Sequence, residues 1–225
     1  MKKSNDIKII SFDCYGTLID WDRGIREFFV EILSDKNQKL IDKIIKRWEI
    51  IQFHLIKEKH LSYEELLNKS FTQTFGELDL YIKANLGKKL LDKIVDFNSF
   101  SDVFPVLSYL KKHYKLVIIS NGPYKILTKN AQRMGIKFDQ IISGEKIGFY
   151  KPATEVFQNA LKQMNISASH ILHVAAGYKY DVIPAKTLGI KIIWVNRKKI
   201  KIQEDIAPDY EMSDLTSLPS ILGLI

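Results

Sequence analysis

The feature that most constrains this chain is an unbroken block of helical periodicity, from Trp21 to Phe97, wedged between one short buried strand and a regular series of strands and helices. The leading run Lys8-Ile9-Ile10-Ser11-Phe12 is β-branched and aromatic, and it ends at a polar, glycine-containing turn. That is how a buried parallel strand delivers residues to a site. In the block that follows, Ile25, Phe28, Phe29, Ile32 and Leu33 form one apolar helical face, and Ile41, Ile44, Ile45, Trp48, Ile51 and Leu55 a second, longer one. Ser62 and Glu65 have capping-box spacing before a helix carrying Leu66, Leu67, Phe71 and Phe75, and Gly87 is expected to separate two further short helical patterns. No strand signal interrupts it, so the block reads as an all-helical insertion of about 75 residues, long enough for a small cap.

From Asp102 onward the pattern alternates. Helices are expected over Val103 to Lys112, Tyr124 to Met134, Thr154 to Met164, Asp181 to Leu188 and Leu215 to Leu222. Strands are expected over Lys115 to Ser120, Phe138 to Ser143, Ile171 to Ala175, Ile190 to Val195 and Tyr210 to Met212. Strands joined by single helices imply an α/β fold, a Rossmann-like doubly wound parallel sheet with helices on both faces. The expected division is a core of residues 1-20 and 97-225 with a helical cap over 21-96.

Composition narrows the function classes. The 225 residues are 46% apolar, enough for a sizeable core. The net charge of +8 comes from lysines spread along every segment, whereas arginine occurs only at positions 23, 26, 47, 133 and 197. Without a basic run interleaved with aromatics, a lysine-rich solvated surface is the better reading, and no nucleic-acid partner is expected. The opening Met1-Lys2-Lys3-Ser4-Asn5-Asp6 is too short and polar for a signal peptide, and no apolar run nears the roughly 18 residues of a membrane span. The expectation is a cytoplasmic protein without a membrane partner. A single cysteine, Cys14, excludes intrachain disulfides and cysteine metal sites, and reads as a small buried hydrophobe.

Ligands of such sheets bind beyond the carboxyl ends of the strands. The first strand ends in Asp13 and Thr17, the second in Ser120 and Asn121; Lys151 follows the loop Gly148-Phe149-Tyr150, and a later strand leads to Asp181. Four segments thus bring two carboxylates, an ammonium, and hydroxyl and amide groups to one edge. His173 reads as a structural strand residue, since it precedes the strand end.

In order and spacing, Asp13-Cys14-Tyr15-Gly16-Thr17, Ser120-Asn121-Gly122, Lys151-Pro152 and Asp181 resemble the haloacid dehalogenase superfamily across nearly the whole chain, helical cap included. Tyr15, where phosphatases of the superfamily usually have a second Asp, and Trp194-Val195-Asn196 are similar to the type II (S)-2-haloacid dehalogenase branch. The resemblance implies Asp13 as nucleophile, Thr17 as a positioning hydroxyl, and Ser120 and Asn121 as ligands of the substrate carboxylate and halide. It implies Lys151 as the cation holding Asp13 and the anionic substrate, and Asp181 as the acid that orients hydrolytic water. Cys14 and Tyr15 would border the substrate, and Arg47 is the one helical candidate for a halide-binding cap arginine. Caps of this kind often pack in dimers, so a homodimer is a further expectation.

The residue chemistry separates two activities. Expelling an alkoxide from phosphorus requires a proton donor, which Tyr15 replaces, whereas halide leaves as a stable anion. A phosphate dianion beside two carboxylates requires Mg²⁺, held in relatives partly by an acid of a Gly-Asp pair where this chain has Ala175-Ala176. The expected reaction is therefore hydrolytic dehalogenation of a short 2-haloacid with no metal or other cofactor. Two alternatives stay open: a Mg²⁺-dependent phosphatase, and a weakly active protein that binds small anions. The second is motivated by Phe157, Ala175, Ala176 and Gly177, where the family commonly carries hydroxyl or amide side chains.

Overall fold

A computed structural model describes residues 6–33, 37–58, 61–81, 85–202 and 205–225. The opening segment through Asn5, read above as too polar for a signal peptide, lies outside the described residues. The chain divides into two compact units, residues 20–98 and residues 1–19 with 99–225.

In the larger unit, β1 (Ile9–Phe12), β2 (Lys115–Ser120), β3 (Gln140–Ser143), β4 (Ile171–Ala175), β5 (Lys191–Val195) and β6 (Tyr210–Met212) form one sheet. The order is β3-β2-β1-β4-β5-β6 and every pair is parallel. The connecting helices are α5 (Val103–Leu110), α6 (Tyr124–Arg133), α7 (Gly144–Ile147), α8 (Thr154–Met164), α9 (Ile183–Thr187) and α10 (Leu218–Ile221), numbered after the four of the smaller unit.

The sheet is buried on both faces. Ile9, Val117, Ile119, Ile171, Ala175 and Ile192 share a core with Val156, Phe157 and Ala160 of α8 and Ala185 of α9. The alternate residues Ile10, Phe12, Ile118, Leu172 and Val174 point the other way and are buried as well. Each fully buried side chain of this size contributes about 1.5–3 kcal/mol, which is why these strands read as nearly continuous apolar runs. Only Ser11 and His173 break that pattern in β1 and β4, and both are fully buried.

Strand order reverses at β1: the chain moves outward through β2 and β3, then returns to place β4 on the opposite side of β1. The crevice beyond the β1 and β4 ends is the topological switch point, where such sheets bind ligands.

The smaller unit contains α1 (Trp21–Leu33), α2 (Gln38–Glu58), α3 (Tyr63–Glu77) and α4 (Leu86–Ile94). Its core is aromatic: Trp48 stacks on Phe71 with centroids 5.1 Å apart, and Phe29 meets Trp48, Phe71 and Phe75. The Trp48 indole donates to Ser70 Oγ at 2.7 Å, satisfying the polar edge of a ring with no exposure. The capping box forms as spaced, with Glu65 N–H donating to Ser62 Oγ and Ser62 N–H to the Glu65 carboxylate.

Some boundaries depart from the periodicity. Gly87 separates nothing; it lies in the first turn of α4, where an added Cβ would come within 2.8 Å of Asn68 and of the Glu64 carbonyl. The first of the two patterns expected around it runs partly through residues 82–84, outside the described residues. The final helix divides into a 3₁₀ turn, Leu215–Ser217, and α10.

Asp181 does not open an α-helix. It sits in a π turn, Tyr178–Val182, that precedes α9, with its N–H donating to the Gly177 carbonyl at 2.8 Å. The Val182 N–H reaches the same carbonyl at 3.3 Å, the five-residue spacing of a π turn, and Asp181 Oδ1 there lies 3.0 Å from His173 Nε2 of β4.

Candidate active site

The turn after β1 is tight. Gly16, at φ +82°, takes the left-handed conformation that glycine adopts without steric cost, and its N–H donates to the Ile19 carbonyl at 2.8 Å. The turn brings Thr17 back over Asp13, and Thr17 Oγ1 donates to Asp13 Oδ2 at 2.9 Å. That hydroxyl oxygen accepts the Ala176 N–H from beyond β4 at 2.9 Å, which settles the direction of its proton. The Arg197 guanidinium, stacked over Phe100 and paired with Asp102, donates to the Thr17 carbonyl at 2.9 Å and holds the turn from behind.

Lys151 arrives from the loop before α8. Its backbone is clamped by Asn121: Lys151 N–H donates to Asn121 Oδ1 at 2.6 Å, and Asn121 Nδ2 donates to the Lys151 carbonyl at 3.0 Å. The ammonium, 2% exposed, donates to Asp13 Oδ1 at 2.8 Å, Asp181 Oδ1 at 2.5 Å and the Ile119 carbonyl at 3.1 Å. Three donors meet three acceptors.

The electrostatics follow from burial around one shared cation. Burial pushes the Asp13 carboxyl above its ordinary value; Lys151 opposes that and neighbouring Asp181 adds to it, and the net direction is up. Burial also raises Asp181, but Lys151 and a hydrogen bond from His173 outweigh it, so Asp181 lies below its ordinary value. Burial lowers Lys151, and its two carboxylates more than compensate.

The residues singled out in the sequence fall into groups. Asp13, Thr17, Lys151 and Asp181 form one contiguous network. Ser120, buried at the end of β2, pairs in register with Ser143, while the Asn121 amide is committed to the Lys151 backbone. The Tyr15 hydroxyl donates to Asn130 on α6 at 3.1 Å, and its ring lies where a Cβ on Gly122 would be only 2.7 Å away. Cys14 is fully buried and its thiol is pushed well up by burial, which keeps it an unreactive hydrophobe. Arg47, on α2, is ion-paired with Glu77 of α3.

His173 is more than a strand residue. Its Nε2 lies 3.0 Å from Asp181 Oδ1 and its Nδ1 2.8 Å from Ser11 Oγ. The signal in the sequence was a polar residue inside each of two otherwise apolar strand patterns, Ser11 and His173.

A Mg²⁺ ion does not fit these residues. The methyl of Ala176 offers no ligand, the Lys151 ammonium lies between the two carboxylates, and among the described residues no group of three or more His, Cys, Asp or Glu is arranged to hold a metal. Also among the described residues, no helix is long and apolar enough to cross a membrane.

The family model for haloacid dehalogenase-like hydrolases matches residues 7–189. An (S)-2-haloacid dehalogenase of Pseudomonas sp. (strain YL) is 26% identical over 223 residues, 94% of this chain and 93% of that one. A glyceraldehyde 3-phosphate phosphatase of Methanothermobacter thermautotrophicus is 25% identical over 206 residues, 88% of this chain and 90% of that one. Among solved structures, that of the L-2-haloacid dehalogenase RSc1362 superposes with a TM-score of 0.86 at 21% identity, covering 97% of this chain and all of the other. With a family model spanning most of its length and a switch-point site on the fold of that family, this chain belongs to the haloacid dehalogenase-like hydrolases.

Proposed function

We propose that the protein hydrolyses short (S)-2-haloacids to 2-hydroxyacids through an ester on Asp13. The observation on which we rest this reading is the Asp13–Lys151–Asp181 trio: one carboxylate held by a buried cation beside one further carboxylate, with no group of three or more His, Cys, Asp or Glu arranged for a metal among the described residues. The names of the bacterial relatives support the same substrate class.

In the first step an oxygen of Asp13 attacks C2 of the substrate from the side opposite the halogen. The new C–O bond forms as the carbon–halogen bond breaks, halide departs with the electron pair, and configuration inverts. Lys151 keeps Asp13 ionised and Thr17 fixes one of its oxygens, so a single carboxylate geometry is presented. In the second step water attacks Cγ of the ester while Asp181 takes a proton from it. The acyl–oxygen bond breaks, Asp181 passes that proton to the departing alkoxide and the hydroxyacid leaves; Asp13, released as the carboxylic acid with the second proton of water, loses that proton to solvent and is again the carboxylate. No step requires a metal.

Turnover of (S)-2-chloropropanoate in ¹⁸O-water over many cycles is expected to label Asp13, because water enters at the aspartyl carbon. An aspartyl phosphate is instead hydrolysed at phosphorus and leaves Asp13 unlabelled. Phosphate-ester turnover that rises with Mg²⁺, with an unlabelled Asp13 peptide, would replace the proposal by the phosphatase reading that the archaeal relative supports. Carboxylate binding without halide release under either condition would leave only the anion-binding alternative.

A further inference from the structure

We propose that Ser11 and His173 form a buried strut that aims Asp181 at the hydrolytic water and acts on the second half-reaction alone, a role that rests on the aspartyl-ester reading. Ser11 and His173 are register partners on β1 and β4, with side chains on the same face of the sheet. Ser11 Oγ lies 2.8 Å from His173 Nδ1, and His173 Nε2 lies 3.0 Å from Asp181 Oδ1. An imidazole with its proton on Nε2 satisfies both contacts, donating to Asp181 and accepting from Ser11. Phe157 of α8 fixes the ring plane, edge-on at 5.0 Å and 82°.

Two polar side chains at the centre of an apolar sheet cost stability that Val or Phe would not. Their position behind Asp181 gives them a use. Before reaction Lys151 ties Asp181 to Asp13. Once Asp13 becomes a neutral ester, Lys151 keeps its ion pair with Asp181 but has no second anion to bridge, so it no longer ties Asp181 to Asp13. The Ser11–His173 strut is anchored in sheet backbone and does not change with the charge on Asp13. It keeps Asp181 in place during the step in which Asp181 acts.

Apart from Lys151 and the strut, the side chains next to Asp181 give it little support. Ala175, Ala176 and Gly177 offer no side-chain donor, and Phe157 packs through its ring. Gly177 is part of the arrangement, since a Cβ there would lie 2.5 Å from Asp181 Oδ2. With Oδ1 taken by Lys151 and His173, Oδ2 is the oxygen that receives the proton of water.

The test is rapid-quench single turnover of (S)-2-chloropropanoate, following chloride release and, by mass spectrometry, the ester on Asp13. In His173→Phe the ester should decay about 10–100-fold more slowly, a fraction of what a general base contributes, while chloride release stays within about twofold of wild type. Ester should accumulate, and His173→Gln, whose amide nitrogen overlays Nε2, should restore decay. Ser11→Ala should slow decay in the same direction by a smaller factor, and it decides the matter if His173→Phe does not fold. Equal slowing of both steps, unchanged decay, or failure of Gln to rescue would overturn the strut. Wild type releasing no chloride and forming no ester would overturn the ester reading and the strut with it.

Discussion

Lys151 offers the sharpest perturbation, because one buried ammonium serves two carboxylates. Lys151→Met keeps an unbranched side chain one atom shorter and removes the charge that lies 2.8 Å from Asp13 Oδ1 and 2.5 Å from Asp181 Oδ1. At an effective dielectric near 20 and a charge separation of ~4 Å, each attraction is worth about 4 kcal/mol. If Asp13 is the proposed nucleophile, losing this attraction is expected to lower kcat/KM by about 10³-fold near neutral pH, since 1.36 kcal/mol is a factor of about ten. Asp13 already lies above its ordinary pKa through burial, and without the cation it rises further. The acid limb of kcat/KM should therefore move to higher pH by more than about one unit.

Stability carries its own signature. In wild type the lowered Asp181 contributes stability above its unfolded pKa that is lost as pH falls through its folded value, and the raised Asp13 works in the opposite sense. Lys151, raised on folding, contributes stability below its unfolded pKa that is lost as pH rises through its folded value. In Lys151→Met both carboxylates are raised, so stability falls as pH climbs from about 4 toward 8. Leaving buried charge unpaired costs about 3–5 kcal/mol. Thermal melts by circular dichroism should show a gap between wild type and variant that widens from about pH 5 to pH 8. A pH-independent gap, or halide release above a tenth of wild type with an unmoved acid limb, would refute this account of the trio.

Two other changes isolate neighbouring contacts. Gly177→Ala places a methyl 2.5 Å from Asp181 Oδ2 at a backbone φ of −76° that strains no residue, so the whole effect is collision. It should cost about 1–3 kcal/mol in denaturant melts and slow turnover, and a wild-type rate would show that Asp181 tolerates displacement. Thr17→Val removes the donor to Asp13 Oδ2 and leaves the Ala176 N–H without its acceptor. The expected result is loss of about 1–3 kcal/mol of stability and a lower kcat/KM for chloropropanoate; unchanged halide release would mean that the hydroxyl positions nothing.

The alternation after Asp102 and the helical block before it are local patterns, and they sufficed to read a parallel sheet with a helical insertion. Asp13, Lys151 and Asp181 were legible for the same reason: each follows a strand or a strand-derived loop, and a parallel sheet sends all such ends to one edge. The switch point between β1 and β4 required the strand order, which no local pattern contains.

What tertiary structure decided were the partnerships. Ser11 and His173 stand 162 positions apart and each looks like an imperfection in an apolar strand; only the parallel register makes them neighbours. Asn121 has the chemistry to bind an anion, and the approach of the Lys151 loop engages its Oδ1 and one N–H of its amide with the Lys151 backbone. Arg47 likewise becomes half of an ion pair when α3 brings Glu77 against α2. Helix periodicity also could not foresee the π turn that carries Asp181, because one added residue barely disturbs the local apolar pattern. Sequence alone determined which chemical groups reach the strand edge, since hydrophobic periodicity sets where strands end. Packing between distant segments decided which of those groups touch, and that sets which of them stay ionised and how they are aimed.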